Sequence, residues 1–355
     1  PQEGESTVRG YRGQTVTAEL AVKMNNSGDF GFITNSTPER DSTSFYGQGT
    51  WNHSDSLRTV FGLRHTNDEV YSAVTNFYGR SGTDILETDG NKVTGRLVIE
   101  KDIDDNTMVF GSFTRGYKPG GSNLTYGRED VVAQIVVLPT FQEEIVDAFE
   151  VGLKTDLAGG RVRLNTAAFL YNYEGLQYQA TDPEVFEGGV GNIPDSEIFG
   201  AELELSTFLS DDVILDLRMS WLDTEITADH LALDNVESES ATNALLAQGI
   251  GLFSNDVQIA RAGRIQNVRG NELAKTPSFT GNVALNWTDD LSSGELKGTI
   301  QYTYRGGFKH RIFNNSQTDV VPNYDVLDVM LGFYPAGAEN NLRFELIGKN
   351  LFDKD

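Results

Sequence analysis

The residues able to do bond chemistry are few and do not converge. The four histidines, His53, His65, His230 and His310, are scattered along the chain. No HExxH, GxSxG or Walker sequence is present. Cysteine is absent, which removes a thiolate nucleophile, a thiolate metal site and a disulfide framework. The acidic pairs Asp211-Asp212 and Asp289-Asp290 fall in short polar stretches, where aspartate is a turn former. No catalytic residue, metal ligand or cofactor is therefore expected, and the chain does not read as an enzyme. What remains is recognition of charge and of aromatic surface. Arg261, Arg264 and Arg269, with Lys275, stand close together in an otherwise acidic chain. A guanidinium grips carboxylate or phosphate through two parallel hydrogen bonds. These residues form either a cationic patch for an anionic ligand or a surface that meets lipid phosphates or water. Phe308, His310 and Arg311, with Lys309 and Phe313, mix rings with cations. That composition suits a ligand with aromatic groups, and an interfacial aromatic girdle explains part of it equally well.

The elements that must carry these residues follow from charge and hydropathy. Twenty-eight basic against 52 acidic side chains leave a formal net charge of −24. A nucleic-acid partner is not expected, because such a partner needs a basic face that releases counterions. No apolar run reaches the ~18 residues of a membrane-spanning helix. The chain opens on Pro1 without a signal-peptide pattern and reads as a piece of something longer.

The dominant signal is alternation with period 2. Phe199, Ala201, Leu203 and Leu205 alternate with Gly200, Glu202, Glu204 and Ser206. Beyond a polar turn, Val213, Leu215, Leu217, Met219 and Trp221 alternate with Asp216, Arg218 and Ser220. This is a hairpin with one apolar and one polar face. The pattern recurs from a first strand at Gln14–Lys23 to a last at Leu342–Leu346, giving about 13 strands, most near the ~9–11 residues that cross a bilayer at a tilt. Short polar turns (52–56, 102–105, 157–160, 210–212, 288–295, 335–340) alternate with long intervals (24–41, 68–92, 119–145, 177–197, 225–277, 306–323). Residues 239–252 of the longest interval suggest a short helix. Alternation of tight turns with long loops is the mark of an outer-membrane barrel, whose long loops lie outside. A soluble β-sandwich shows the same alternation. The mix of opposed charges and amides on the polar faces (Glu202, Glu204, Arg218, Arg163, Lys154) and the lack of a ~40–50-residue repeat favour the barrel. Glu202, Glu204 and Arg218 are expected to pair across their hairpin on the inner face.

Four stretches carry a family resemblance. Residues 113–121, with Arg115, Gly116, Tyr117, Lys118 and Gly120, resemble the S-R-G-Y-K-x-G-G signature of TonB-dependent outer-membrane receptors. Residues 150–169 are similar to the same family's E-V-G-L-K hairpin, and residues 199–204, with Glu202 and Glu204, to its G-x-E-x-E strand. Residues 348–354, with Lys349, Asn350 and Phe352, match its G-K-N-L-F-D-K near the end of the barrel. Each is weak alone. In family order over about 240 residues, with barrel strands between, they are specific. The motif residues read mainly as marks of the fold, with glycines relaxing strand ends and Asn350 bonding local backbone at a turn.

The resemblance implies an all-β, antiparallel, up-and-down transmembrane barrel of the 22-strand class. Residues 1–355 would be its C-terminal portion, with the plug, the coupling box, about eight strands and the closing strand lying outside the chain. An open sheet exposes unmet backbone groups, so these residues are not expected to insert alone. The implied role is active transport at the bacterial outer membrane, with a ferric siderophore as solute. Vitamin, haem or oligosaccharide uptake and a passive porin-like channel are the alternatives. The implied partners are outer-membrane lipid and lipopolysaccharide, the TonB complex acting through the missing N-terminal region, and the small-molecule ligand. In this frame Arg261, Arg264, Arg269, Phe308, His310 and Arg311 are the candidate contacts for an anionic ferric chelate.

Overall fold

A computed structural model describes residues 6–7, 34–76, 83–123, 137–181, 188–252, 254–337 and 342–353. The first strand expected, Gln14–Lys23, lies outside the described residues. In chain order the strands are β1 (Ser6–Thr7), β2 (Thr34–Ser54), β3 (Leu57–Asn76), β4 (Thr83–Asp104), β5 (Thr107–Lys118), β6 (Gly121–Ser122), β7 (Thr140–Phe141), β8 (Glu144–Leu157), β9 (Val162–Thr181) and β10 (Gly188–Phe208). There follow β11 (Val213–Ile226), β12 (Leu231–Leu233), helices α1 (Asn235–Leu246) and α2 (Asn255–Ala262), β13 (Ile265–Asn267), β14 (Phe279–Leu291), β15 (Gly294–Arg305), β16 (Phe308–Lys309), β17 (Val320–Val321), β18 (Tyr324–Pro335) and β19 (Phe344–Gly348). Thirteen of these strands form one antiparallel sheet in the order β1-β2-β3-β4-β5-β8-β9-β10-β11-β14-β15-β18-β19. Each strand of this meander pairs with its neighbours along the chain, so two-residue turns such as Asp55-Ser56 and Asp105-Asn106 suffice at one end. The remaining short strands form three separate pairs.

Register shows that the alternation is coherent from strand to strand. Phe199 stands opposite Leu170, Leu170 opposite Phe149, Phe149 opposite Phe113, Phe113 opposite Leu97 and Leu97 opposite Phe61. Leu205 stands opposite Leu217, Leu217 opposite Val283, and Val283 opposite Tyr302. Paired residues share a face, so the sheet has one apolar face over its width. That face is open: Trp221, Phe199, Phe149, Val151, Leu97 and Leu63 are all exposed. Leu203, Leu215 and Leu217 are half-buried by sheet neighbours and are not sealed under a second layer. On β8 the apolar positions run from Phe149 to Leu157 between Asp147 and the turn, about 20–25 Å at the tilt of barrel strands, close to the apolar band of outer-membrane barrels.

The opposite face is knit by polar contacts. Arg58 donates to Glu100 at 2.5 Å and to Asp102 at 3.0 Å. The Asn286 amide donates to Asp216 at 2.9 Å and accepts from Thr299 at 2.9 Å. The expected pairing inside the 199–221 hairpin holds in part. Arg218 lies 4.0 Å from Glu204, whereas Glu202 stands opposite Ser220.

Strand length differs from the sequence expectation. β2, β3, β4, β9 and β10 run 20 to 22 residues. Much of the intervals expected as loops at 24–41, 68–92 and 177–197 is therefore strand that continues past the apolar band. The Thr, Asn, Val and Tyr content of these ends favours extended chain, and cross-strand pairing satisfies backbone groups there. The turn expected at 288–295 also shrinks to Ser292-Ser293, because Asp289 and Asp290 pair with Leu296 and Glu295.

Candidate ligand-facing loops

Past Ile226 the chain leaves the sheet for its longest excursion, and that excursion folds as a unit with its own core. Ile226, Ala232, Val268 and Leu273 pack with Ile193 of β10 and with Ile312 of the next long loop. Leu176, Ile198 and Phe313 close around them. Ile198 shares the face of Glu202, and Ile226 stands opposite Ser196, so the loops pack on the polar side of the wall. Where one helix was expected at 239–252, α1 covers Asn235–Leu246 and α2 follows beyond the expected range at Asn255–Ala262. The first starts earlier because Asp234 caps it, accepting from the Val236 and Glu237 amides at 3.1 and 3.2 Å. The second starts at Ser254, which accepts from the Val257 amide at 3.3 Å. The Asp-x-x-Glu spacing of Asp234 and Glu237 was a readable capping signal.

Arg311 joins this unit to the loop that follows β15. It donates to Asp319 at 2.6 Å through Nε, to Asp234 at 2.6 Å through Nη1, to Asn235 at 2.9 Å and to Thr318 at 3.0 Å. Its guanidinium also lies 5.2 Å from the Phe313 ring centre. Asp234 and Asp319 are buried side chains. Burial works against the charge of Arg311, but bonds from both carboxylates more than offset it and hold the guanidinium pKa above its ordinary value. Asp319 also accepts from the Asn315 amide at 2.9 Å. Arg311 is thus a fastening between two loops, not a cation facing an open mouth.

The other expected contacts scatter. Arg261 is buried in α2, while Arg264 and Arg269 are exposed, so the three do not make one patch. Arg269 sits 3.5 Å from Asp229. Asn267 donates to Asp229 at 2.8 Å, and this bond, with Arg269, keeps that carboxyl below its usual pKa. Phe308 lies under the Arg305 guanidinium, 4.4 Å from ring centre to carbon. His310 is exposed, and its amide donates to the Asp319 carbonyl at 2.9 Å. Phe308, His310 and Arg311 are thus neighbours along one loop with separate partners, whereas Arg264 joins the same loop unit through its carbonyl, which accepts from the Asp234 amide at 3.1 Å.

The resemblance motifs sit at structural joints. Arg115 donates through two nitrogens to Asp147, at 2.6 Å through Nε. The Tyr117 hydroxyl donates to Asp68, which also takes Arg40 at 3.1 Å. Gly90 leaves the space this needs, since a Cβ there would meet the Tyr117 oxygen at 2.9 Å. Gly116 faces Val146, and Lys118 is an exposed strand end opposite Glu144. Lys349 is exposed, Asn350 adopts φ +49 with its amide donating to Asp328 at 2.8 Å, and Phe352 reaches the Tyr302 ring at 6.4 Å. Sequence reading missed the polar pins of the 119–143 loop. Asn123 bonds the carbonyls of Leu138 and Val190 and the Val190 amide, at 2.8–2.9 Å. Gln177 and Asn192 hold Pro119 and Gln142. Lone amides carry no pattern that announces such roles.

Gly120 is the tightest of these joints. A Cβ there would lie 2.5 Å from the Phe141 carbonyl oxygen and 3.2 Å from the Gln142 carbonyl carbon, backbone atoms that no rotamer change can move. Gly120→Ala is expected to cost about 1–3 kcal/mol by overpacking and to expose the Asn123 and Val190 amides to hydrogen exchange. Gly159→Ala, in an open turn at φ +67, is the control and should leave that exchange unchanged.

His230 provides a pH response. Its Nε2 lies 2.8 Å from the Tyr178 hydroxyl, with the rings edge to face at 5.3 Å. Burial lowers its pKa. The unfolded loop therefore takes up a proton more readily than the packed one, and packing weakens as pH falls through the ordinary histidine range near ~6.5. Protection of the Val268 amide, which donates to the His230 carbonyl, should drop between about pH 7.5 and 5.5. His230→Gln should flatten that dependence.

An antiparallel meander with one open apolar face, a polar opposite face, and loops packed at one end of the polar side defines the wall of a membrane β-barrel. The sequence matches the family described as TonB dependent receptor-like, beta-barrel, over residues 6–351, and the chain belongs to that family. Solved structures agree on the fold. The ferric yersiniabactin uptake receptor FyuA from Yersinia pestis superposes with a TM-score of 0.66 at 18% identity, over 91% of this chain and 42% of that one. The siderophore receptor PiuA from Acinetobacter baumannii gives 0.65 at 18%, over 90% and 40%. The copper transporter OprC gives 0.58 at 12%, over 92% and 48%. The chain thus spans less than half the length of these structures. No curated protein matches the sequence.

Proposed function

We propose that residues 1–355 are the C-terminal portion of the barrel of an outer-membrane active-transport receptor, coupled to TonB through a region outside this chain, and that the solute is a ferric siderophore. The observation that carries this reading is the division of the wall. Its apolar face, with Trp221, Phe199 and Phe149, is open and suited to lipid and the acyl chains of lipopolysaccharide. Its polar face carries the packed loops. The role is recognition and passage, with no bond made or broken. Siderophore receptors among the structural neighbours support the choice of solute. Exposed His310 and Arg264 are available to a ligand, Arg269 stands beside Asp229, Arg261 is buried in α2, and Arg311 fastens the loop unit.

The test uses the full-length receptor in its own cell. Deleting its gene should abolish growth on a ferric siderophore as sole iron source, and the intact gene should fail to support that growth when TonB is removed. Growth that persists without TonB would indicate a passive channel.

A further inference from the structure

Five described arginines of the sheet, Arg40, Arg58, Arg163 and Arg218 on the polar face and Arg115 on the apolar side, mark the rule against which three others stand out. Each of the five has a carboxylate within 4.0 Å, Arg115 from the apolar-face side. Arg64, Arg96 and Arg305 have none among the described residues; Arg305 lies over the Phe308 ring, whereas Arg64 and Arg96 adjoin each other. Arg64 donates only to hydroxyls, Ser44 at 2.7 Å and Thr66 at 3.1 Å. Both are exposed. They are diagonal neighbours, because Arg64 stands opposite Thr94 and Arg96 opposite Gly62. The Arg96 stem lies over Gly62, where a Cβ would make ordinary contact with Arg96 Cγ at 3.6 Å. Tyr46, opposite Arg64, is 80% exposed.

Register places this group on the polar side. Arg96 stands opposite Thr114, Thr114 opposite Ala148, Ala148 opposite Tyr171, and Tyr171 opposite Ile198, which packs against the loop core. Tyr46, Gln48, Arg64, Thr94, Arg96 and Thr114 line a hollow of about 300 Å3 with no Asp or Glu in its lining. In a chain of net charge −24, two unneutralised guanidiniums make a local positive field, and each has N–H groups free for a planar oxyanion.

We propose that Arg64, Arg96 and Tyr46 form an anion site on the inner wall, a station for a polyanionic chelate below the loops. The two guanidiniums grip its ligand oxygens, and Tyr46 presents a ring face and a hydroxyl. This rests on the uptake reading above and adds to it both the charge of the solute and a place on the wall.

The test uses the purified full-length receptor with two probes, the trianionic iron(III) tris-catecholate complex and a neutral iron(III) trihydroxamate, each titrated by fluorescence quenching. Arg64→Gln with Arg96→Gln should weaken the tris-catecholate about tenfold or more, leave the trihydroxamate within about twofold, and lose its effect at high salt. The charge-reversed pair, Arg64→Glu with Arg96→Glu, should weaken the anion further. Equal weakening of both probes would overturn the proposal in favour of damaged packing. Unchanged tris-catecholate affinity with a lowered unfolding temperature would overturn it in favour of arginines that neutralise carboxylates elsewhere in the receptor. In either case wild-type binding leaves the uptake reading standing. A wild type that binds neither probe overturns the ferric-chelate reading and this site with it.

Discussion

Replacing Arg311 by methionine in the full-length receptor is expected to release the two long loops from each other. The substitution keeps most of the stem but leaves Asp234 and Asp319 buried without their cation. Removing one partner of a buried ion pair costs about 3–5 kcal/mol, because the remaining charge is uncompensated. Here two carboxylates depend on one guanidinium. The cost is local, since the contacts lie in residues 227–277 and 306–323 and outside the sheet ladder. Hydrogen exchange should therefore show faster exchange at the Ser238 and His310 amides, with the ladder amides of β14 and β15 unchanged. Arg311→Lys should not restore protection, because one ammonium cannot span Asp234, Asp319 and Thr318 as the planar fork does. Arg269→Ala, at an exposed pair, should cost no more than about 0.5 kcal/mol. Loops that stay protected in Arg311→Met would show that the fastening is dispensable.

Leu203→Arg is expected to destabilise the folded receptor by about 2–4 kcal/mol, the cost of a cation at the bilayer midplane on the outward face of a barrel. Leu203 lies near the middle of the apolar run of β10, with Thr166 and Met219 opposite it. Glu202→Gln, one residue away on the polar face, should change stability by no more than about 0.5 kcal/mol. Equilibrium unfolding of both variants in lipid vesicles distinguishes the faces. Equal effects would mean that Leu203 does not meet hydrocarbon, and the assignment of the apolar face to lipid would fail.

Much of the wall was legible in the residue order because a strand's side chains alternate by geometry. The alternation at 199–205 and 213–221 identified the face of each residue, and the observed register confirms it pair by pair. Turn residues marked the tight ends for the same local reason. Strand length was not legible: Thr34–Ser54 and Gly188–Phe208 leave the apolar band and continue as paired chain, and without an alternating apolar face such chain looks like loop.

The candidate site was legible only as composition. Arg261, Arg264, Arg269 and Arg311 are alike in the sequence, yet one is buried in a helix, two face water and one joins two loops. What separates them is which carboxylate folding brings near. Asp234 is 77 residues from Arg311 along the chain, and Arg64 and Arg96 become neighbours only through the pairing of β3 with β4. The amino-acid order alone determined the class of fold and the two faces of the wall, because period and turn chemistry act between adjacent residues. Which cations meet a carboxylate and which do not was decided only in three dimensions. A charge is set by its nearest opposite, and no rule of spacing relates partners that meet across loops.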